Sequence, residues 1–201
     1  MARRPGSAFP RRKADALPLP RRPPHWHNEL MDSVIDTAGL LDRLQRTVAG
    51  GADADARRRA EYSTDASNYR IPPLVVAFPK DADDVAAALA AAREFGVPIT
   101  GRGGGTSCAG NSIGEGIVLD FSRHMNAILG IDPEARVARV QPGVVMSELQ
   151  KAAAPFGLRF GSDPSTQNRA TFGGMIANNA CGPHAVAFGR TADKVAGMDM
   201  T

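Results

Sequence analysis

The sequence predicts an α+β fold, and three observations carry that prediction. A strand–helix–strand run extends from Leu74 to Thr100, with a short apolar segment on either side of an Ala-rich stretch. It leads directly into a glycine loop, Gly101-Arg102-Gly103-Gly104-Gly105-Thr106-Ser107. Two more apolar segments, Ala127–Ile131 and Arg136–Gln141, flank the turn Asp132-Pro133-Glu134 and read as an antiparallel hairpin.

Taken in order, the chain begins with an Arg/Pro-rich stretch, residues 1–27, that predicts a disordered tail. Residues 1–25 hold seven basic groups against Asp15 alone, a net of +6; with +3 for the whole chain, the remainder carries about −3. The sparse aromatic content of this stretch favours a solvated tail over a nucleic-acid-binding arm. His25 and His27 flank Trp26 without further ligands nearby, so no metal site is expected there.

Residues 28–70 predict a helix and a connector. From Asn28 to Val48 the apolar residues Leu30, Val34, Leu41, Leu44 and Val48 share one helical face, with Ala38 in the gap. Asn28 is the expected N-cap, Glu29 and Asp32 suit the first turn, and Gly50-Gly51 ends the helix. Ala52 to Asn68 is polar and reads as connecting chain.

Residues 71–201 read as the main domain. Leu74–Phe78 is a strand between prolines, Asp81–Glu94 a helix opened by acidic residues and ended by Gly96, and Val97–Thr100 the next strand. After the glycine loop come a strand at Gly116–Phe121, the hairpin, and a helix at Ser147–Ala154. In the hairpin Ile128, Leu129 and Ile131 are expected to face Val137 and Val140. A short buried helix is expected at Gly173–Ala180 and a strand at Val195–Met200.

The bulk properties suit a soluble globular protein: 43% hydrophobic and 22% charged residues over 201 positions. No apolar run approaches the ~20 residues that cross a bilayer. Two separated cysteines without a CxxC spacing argue for reduced thiols and a cytoplasmic setting.

Four glycines in the five positions from Gly101 to Gly105 let the backbone approach a partner closely, and successive N–H groups in such a turn form an anion-binding nest. A Walker A loop needs Lys followed by Ser or Thr after its last glycine; here Gly105 precedes Thr106-Ser107. A Rossmann fingerprint needs a third glycine opening a helix; that position is Thr106, and the following residues are not helical in pattern. A phosphate-cradling loop between two strands remains. A second Gly/Asn/Ser/Thr-rich segment, Pro164 to Gly182, interrupted by Met175-Ile176-Ala177, adds the apolar and polar-edged surface that a flat ring such as an isoalloxazine needs.

Five motifs bring these features together: Pro79 to Val85, Arg102 to Ser107, Gly116 to Asn126, Val140 to Val144 and Ser165 to Asn179. On them, Pro73 to Thr201 resembles the FAD-binding domain of the vanillyl-alcohol-oxidase/PCMH superfamily. The likeness is greatest to glycolate-oxidase-D-type and D-lactate-dehydrogenase-like FAD-linked oxidases, especially those whose long chains also carry a C-terminal iron–sulfur region. The resemblance implies a PCMH-type fold in which two α+β subdomains cradle FAD, with 71–201 as that domain, C-terminally incomplete.

It further implies that Arg102, Gly103, Gly104, Gly105, Thr106 and Ser107 hold the FAD pyrophosphate, with Gly110 and Asn111 continuing that wall. Pro164, Ser165, Thr171, Gly173, Gly174 and Asn178 would line the flavin side, and Gly182 the turn after it. Relatives with covalent flavin carry His in the place of Thr106, which implies non-covalent FAD here. The implied chemistry is hydride transfer to flavin from the α-carbon of a D-2-hydroxy acid such as D-lactate or glycolate. The electron acceptor or iron–sulfur partner would be encoded elsewhere. His124 and His184 invite a catalytic role, but loop support is the expectation for both, and no catalytic residue is assigned. The competing expectation is a non-catalytic flavin-binding fragment that needs a partner chain.

Overall fold

The computed structural model of the protein describes residues 35–201. The expected tail (1–27) and the expected cap at Asn28 lie outside the described residues. The first described helix, α1 (Thr37–Thr47), is capped by Asp36, whose carboxylate accepts from Gly39 N at 2.8 Å. That start sets the phase of the helix: Leu40, Leu44 and Val48, spaced i, i+4, i+8, are buried, Leu41 is only half-buried and Ala38 is exposed. The expected face was therefore one residue out of register at Leu41. Burying Leu40 and Leu44 completely contributes about 1.5–3 kcal/mol each.

The expected connector is not featureless. Ala52–Asp53 forms β1 and Ala56–Glu61 forms α2. A two-residue strand and a one-and-a-half-turn Arg-rich helix are too short to leave a periodic signal.

β1 pairs antiparallel with β2 (Val75–Ala77), and β2 and β3 (Ile99–Arg102) pair parallel with the two edges of β4 (Ile117–Asp120), giving the order β1-β2-β4-β3. Between β2 and β3 runs α3 (Ala82–Phe95), started by the Asp81 cap and ended at Gly96, whose φ of 65° is left-handed. The strand–helix–strand run thus exists, with β4 inserted between its two strands. β2 and β4 are buried on both faces, as central parallel strands require. Val75, Ala77, Ile117 and Leu119 pack with α1 and α3, while Val76, Phe78 and Val118 pack on the opposite face with Tyr62.

One carboxylate ties this layer together. Asp84 accepts from Ala49 N (2.7 Å), Gly50 N (3.2 Å) and Lys80 N (2.9 Å) and is only 4% exposed. Burial opposes its ionisation, but the three N–H donors outweigh burial and hold its carboxyl below the usual aspartate value.

The hairpin forms as β5 (Ile128–Asp132) and β6 (Val137–Val140), with a register irregularity between Ile128 and Gly130. That bulge turns Leu129 outward, and Val137 is likewise exposed, contrary to the expected face. Ile128, Ile131, Ala138 and Val140 pack instead on a second core of Val144, Met146, Leu149, Ala170, Phe172 and Met175. Its helices are α4 (Met146–Ala153) and α5 (Phe172–Ala177), followed by the short α6 (Ala185–Phe188). The expected strand at Val195–Met200 is not formed; residues 192–194 make a 3₁₀ turn, and Asp199 pairs with Arg139 at 2.7 Å.

Candidate functional site

The glycine loop leaves the end of β3 and faces the segment Pro164–Ala180 across a cavity of about 670 Å³. Twelve of the expected site residues line it: Arg102 to Ser107 and Asn111 on one wall, and Pro164, Thr171, Gly173, Gly174 and Asn178 on the other. The walls come close at Gly103 and Gly104. A Cβ built on Gly103 would collide with Thr171 Oγ1, and one on Gly104 with the carbonyl oxygen of Arg169. Gly105 has a φ of +64°, where a side chain is also strained. The glycines are thus required by the closeness of the two walls as much as by any ligand. Asn111 bridges the gap: its Nδ2 donates to Asn178 Oδ1, while Asn178 Nδ2 donates to Gly174 O at 2.9 Å.

Among the described residues, the N–H groups of Gly103 through Cys108 find no hydrogen-bond acceptor. Ser107 Oγ instead folds back to accept from Ala109 N and Asn111 N, at 3.2 and 3.1 Å, closing the turn that exposes those donors. Among the described residues, Arg102 is the one charged side chain on the cavity wall. Its Nη1 donates to Ser112 O at 3.1 Å, and its guanidinium lies 5.2 Å from the Tyr62 ring centroid. Tyr62 in turn donates its hydroxyl to Asp120; burial first, then that bond, pushes the phenol above its ordinary pKa. A run of open backbone donors beside one cation, in a glycine-lined cleft, fits a diphosphate, and the remaining volume fits a planar ring.

Three expected site residues lie off the cavity lining. Gly110, at φ +78°, packs against Tyr69 on the outside of the loop. Ser165 is exposed next to the lining residue Pro164. Gly182 is pressed onto Asp163, where a Cβ would meet the Asp163 carbonyl.

Asp163 is 7% exposed and holds His184 through Nδ1, with Arg159 at 3.7 Å. The hydrogen bond from His184 is the first cause that lowers the Asp163 pKa. His184 therefore secures this turn and lies off the cavity lining. His124 is exposed, with its ring against the chain at Gly50. Neither histidine lines the cavity.

Cys108, Ser112, Phe121, Pro142 and Met175 also line the cavity and were not named as site residues from the sequence. Pro142 stood in a quoted motif, Val140 to Val144, so that signal was available. Ser112 had none, since its place depends on a side chain from residue 65.

The profile of an FAD binding domain matches residues 73–201. The D-2-hydroxyglutarate dehydrogenase of Pantoea ananatis is 46% identical over 180 residues, covering 84% of this chain and 18% of that protein. The enzyme of the same name from Escherichia coli K12 is 41% identical, covering 79% and 16%. The glycolate oxidase subunit GlcD of Escherichia coli K12 is 40% identical over 127 residues, covering 62% of this chain and 25% of that protein. The chain therefore spans less than a fifth of the length of the D-2-hydroxyglutarate dehydrogenases it matches. Among solved structures, 6-hydroxy-D-nicotine oxidase from Arthrobacter nicotinovorans superimposes with a TM-score of 0.64 at 29% identity, over 73% of this chain and 32% of that one. An alkyldihydroxyacetonephosphate synthase gives 0.66 at 22% identity over 78% and 34%, a likeness of fold. With the profile spanning well over half its length, the chain belongs to the FAD binding domain family.

Proposed function

We propose that this chain supplies the FAD-binding part of a dehydrogenase that oxidises a D-2-hydroxy acid by hydride transfer to flavin. The observation that carries the reading is the row of N–H groups from Gly103 to Cys108, without an acceptor among the described residues, on residues that line the cavity opposite a second glycine-lined wall. The Gly103–Ser107 backbone and Arg102 would bind the pyrophosphate. Pro142, Thr171, Gly173, Gly174 and Met175 would hold the ring, and the close contact of the two walls would exclude water between them. Bound flavin supplies the hydride acceptor. Thr106, which has no ring nitrogen to bond to flavin, supports a non-covalent attachment.

The substrate proposed is a D-2-hydroxy acid: D-lactate or glycolate on the resemblance stated from the sequence, with the names of relatives supporting glycolate and adding D-2-hydroxyglutarate. A cytoplasmic location is supported by two free, exposed cysteines. The domain division proposed is 71–201 for FAD binding, preceded by 28–70, whose described part packs on the same sheet.

One observation favours the second reading, a flavin-binding part that needs a partner for catalysis. Among the described residues the cavity lining holds no His, Asp, Glu, Lys or Tyr to take the substrate hydroxyl proton. Such a base, and any iron–sulfur or other electron acceptor, would come from outside these residues. The test is titration of residues 1–201 with FAD, followed by acid precipitation. Saturable flavin binding with all flavin released to the supernatant is expected. A folded chain that leaves FAD fluorescence unchanged overturns the cofactor assignment, and flavin retained in the pellet overturns the non-covalent one.

A further inference from the structure

We infer that Asp65 is a positioning residue of the glycine loop, pinning its far end at Ser112. This rests on the FAD reading above for its consequence, though not for its geometry. Asp65 lies before residue 73, outside the region that the family profile matches. The turn that carries it is closed by its own bonds. Ile71 N donates to Ser63 O at 2.8 Å, and Ser67 N donates to Asp65 Oδ1 at 2.9 Å. The other carboxylate oxygen, Oδ2, reaches across to Ser112, accepting from its Oγ at 3.0 Å and its N–H at 3.4 Å. Burial opposes ionisation of Asp65, but the donors on Ser67 and Ser112 outweigh it, so the carboxylate is the favoured form.

Ser112 is where the loop closes on itself. Its carbonyl accepts from Arg102 Nη1, so one hydrogen bond joins two residues ten positions apart, at the start and the end of the loop. Arg102 also passes beneath Gly105, with Nη2 2.6 Å from the place a Cβ would take there. The other end is anchored by the ladder: Arg102 pairs with Asp120, and Asp120 receives the Tyr62 hydroxyl and, on its other oxygen, Ser122 N at 2.8 Å. Beyond the backbone ladder at Arg102, these supports reach the loop through side chains.

A glycine-rich segment whose own N–H groups are left open has little to hold it in one conformation. Strand β3 fixes its start. Asp65, acting through Ser112 and hence on the partner of Arg102, fixes its end. If that latch is lost, the loop spends less time in the shape that presents its donors together, and apparent affinity for FAD falls in proportion.

The experiment compares wild type, Asp65→Ala, Asp65→Asn and Ser112→Ala over residues 1–201 by hydrogen-exchange mass spectrometry and by FAD titration. Asp65→Ala is expected to speed exchange across 109–112, where the bonded amides of Ala109, Asn111 and Ser112 lie, by about tenfold and to weaken FAD binding by about tenfold, with exchange in the hairpin 128–140 unchanged. Asp65→Asn keeps one acceptor oxygen and should restore part of both effects, to within about threefold of wild type. Loop exchange at the wild-type rate in Asp65→Ala overturns the proposal, and so does faster exchange spread evenly over the whole chain, the mark of a merely structural role. Should Asp65→Ala fail to fold, Ser112→Ala, which removes only the hydroxyl, decides by the same selective change in 109–112. If wild type does not bind FAD at all, the flavin reading falls while the exchange data alone decide the role of Asp65.

Discussion

The two walls of the cavity are built in opposite ways. The glycine wall is held from behind by side chains, with Asp65 on Ser112, Arg102 on Ser112 and Tyr62, and Tyr62 on Asp120. Its backbone donors are left open. The facing wall is held by its backbone: Phe172 N donates to Val144 O at 3.0 Å, Gly173 N to Pro142 O at 2.8 Å and Met146 N to Ala170 O at 2.9 Å. Those groups are already satisfied, and what the wall presents is mostly glycine, alanine, proline and Met175. The difference separates two kinds of recognition within one cleft. Open donors beside a cation suit charged phosphate oxygens, while a satisfied backbone with small apolar side chains suits the face of a ring.

The sharpest way to break this arrangement is to push the walls apart. In Gly104→Ala the new methyl would collide with the carbonyl oxygen of Arg169, a backbone atom that no rotamer change can move aside. Loss of FAD affinity by more than roughly 100-fold and a stability loss of about 1–3 kcal/mol are expected, because both the cavity shape and the wall contact are affected. Gly197→Ala, where a Cβ meets nothing within 4 Å, is the matched control and should change neither. Fluorescence titration and thermal unfolding read the two quantities. Equal behaviour of the two variants means that the walls do not meet as described.

A smaller effect should fall on the supporting sheet and spare the walls. Asp84 joins α3 to the turn after α1 through the N–H groups of Ala49 and Gly50 and accepts a third from Lys80, just before α3; none of these residues lines the cavity. Replacing it with alanine leaves those N–H groups without their acceptor and should lower stability by about 2–3 kcal/mol at neutral pH, with FAD affinity unchanged. The folded pKa of Asp84 is depressed below its unfolded value, so its contribution is complete above an unfolded pKa of about 4 and is lost as pH falls through the folded pKa. The stability gap between wild type and Asp84→Ala should therefore be constant from pH 7 to about 5 and narrow below about 4. Denaturant unfolding as a function of pH measures it, and a gap that widens on acidification contradicts the assignment.

The same contrast explains how far the sequence could be read. The strands at 75–77 and 117–120, the helix at 82–95 and the hairpin each leave a local signature of alternation, periodicity or capping, and each is found near its expected place. The glycine wall was legible because its requirement is steric and local: four glycines in five positions. Its support was not. Asp65 and Ser112 lie 47 residues apart, and Tyr62 and Asp120 lie 58 apart, so nothing in either neighbourhood marks the pair. Leu129 departed from its expected face for a related reason. A bulge between Ile128 and Gly130 reverses the side-chain alternation, and the close contact of Gly182 with Asp163 likewise joins residues that no local pattern links.

The smallest expected effect is also the most direct report on which wall receives the ligand. Cys108 is exposed on the glycine wall and lines the cavity; Cys181 is exposed just past Ala180 and does not. Both thiols are free, so each can be alkylated and followed separately by mass spectrometry. With FAD at about ten times its Kd, a ligand seated on the open donors should slow alkylation of Cys108 by roughly tenfold, since only the unliganded fraction reacts. Cys181 should react at its free rate. Protection of Cys181 with none at Cys108 would place the ligand beyond the second wall and leave the donors from Gly103 to Cys108 facing water. Protection of Cys108 alone ties the bound ligand to the wall whose backbone the rest of the fold leaves open.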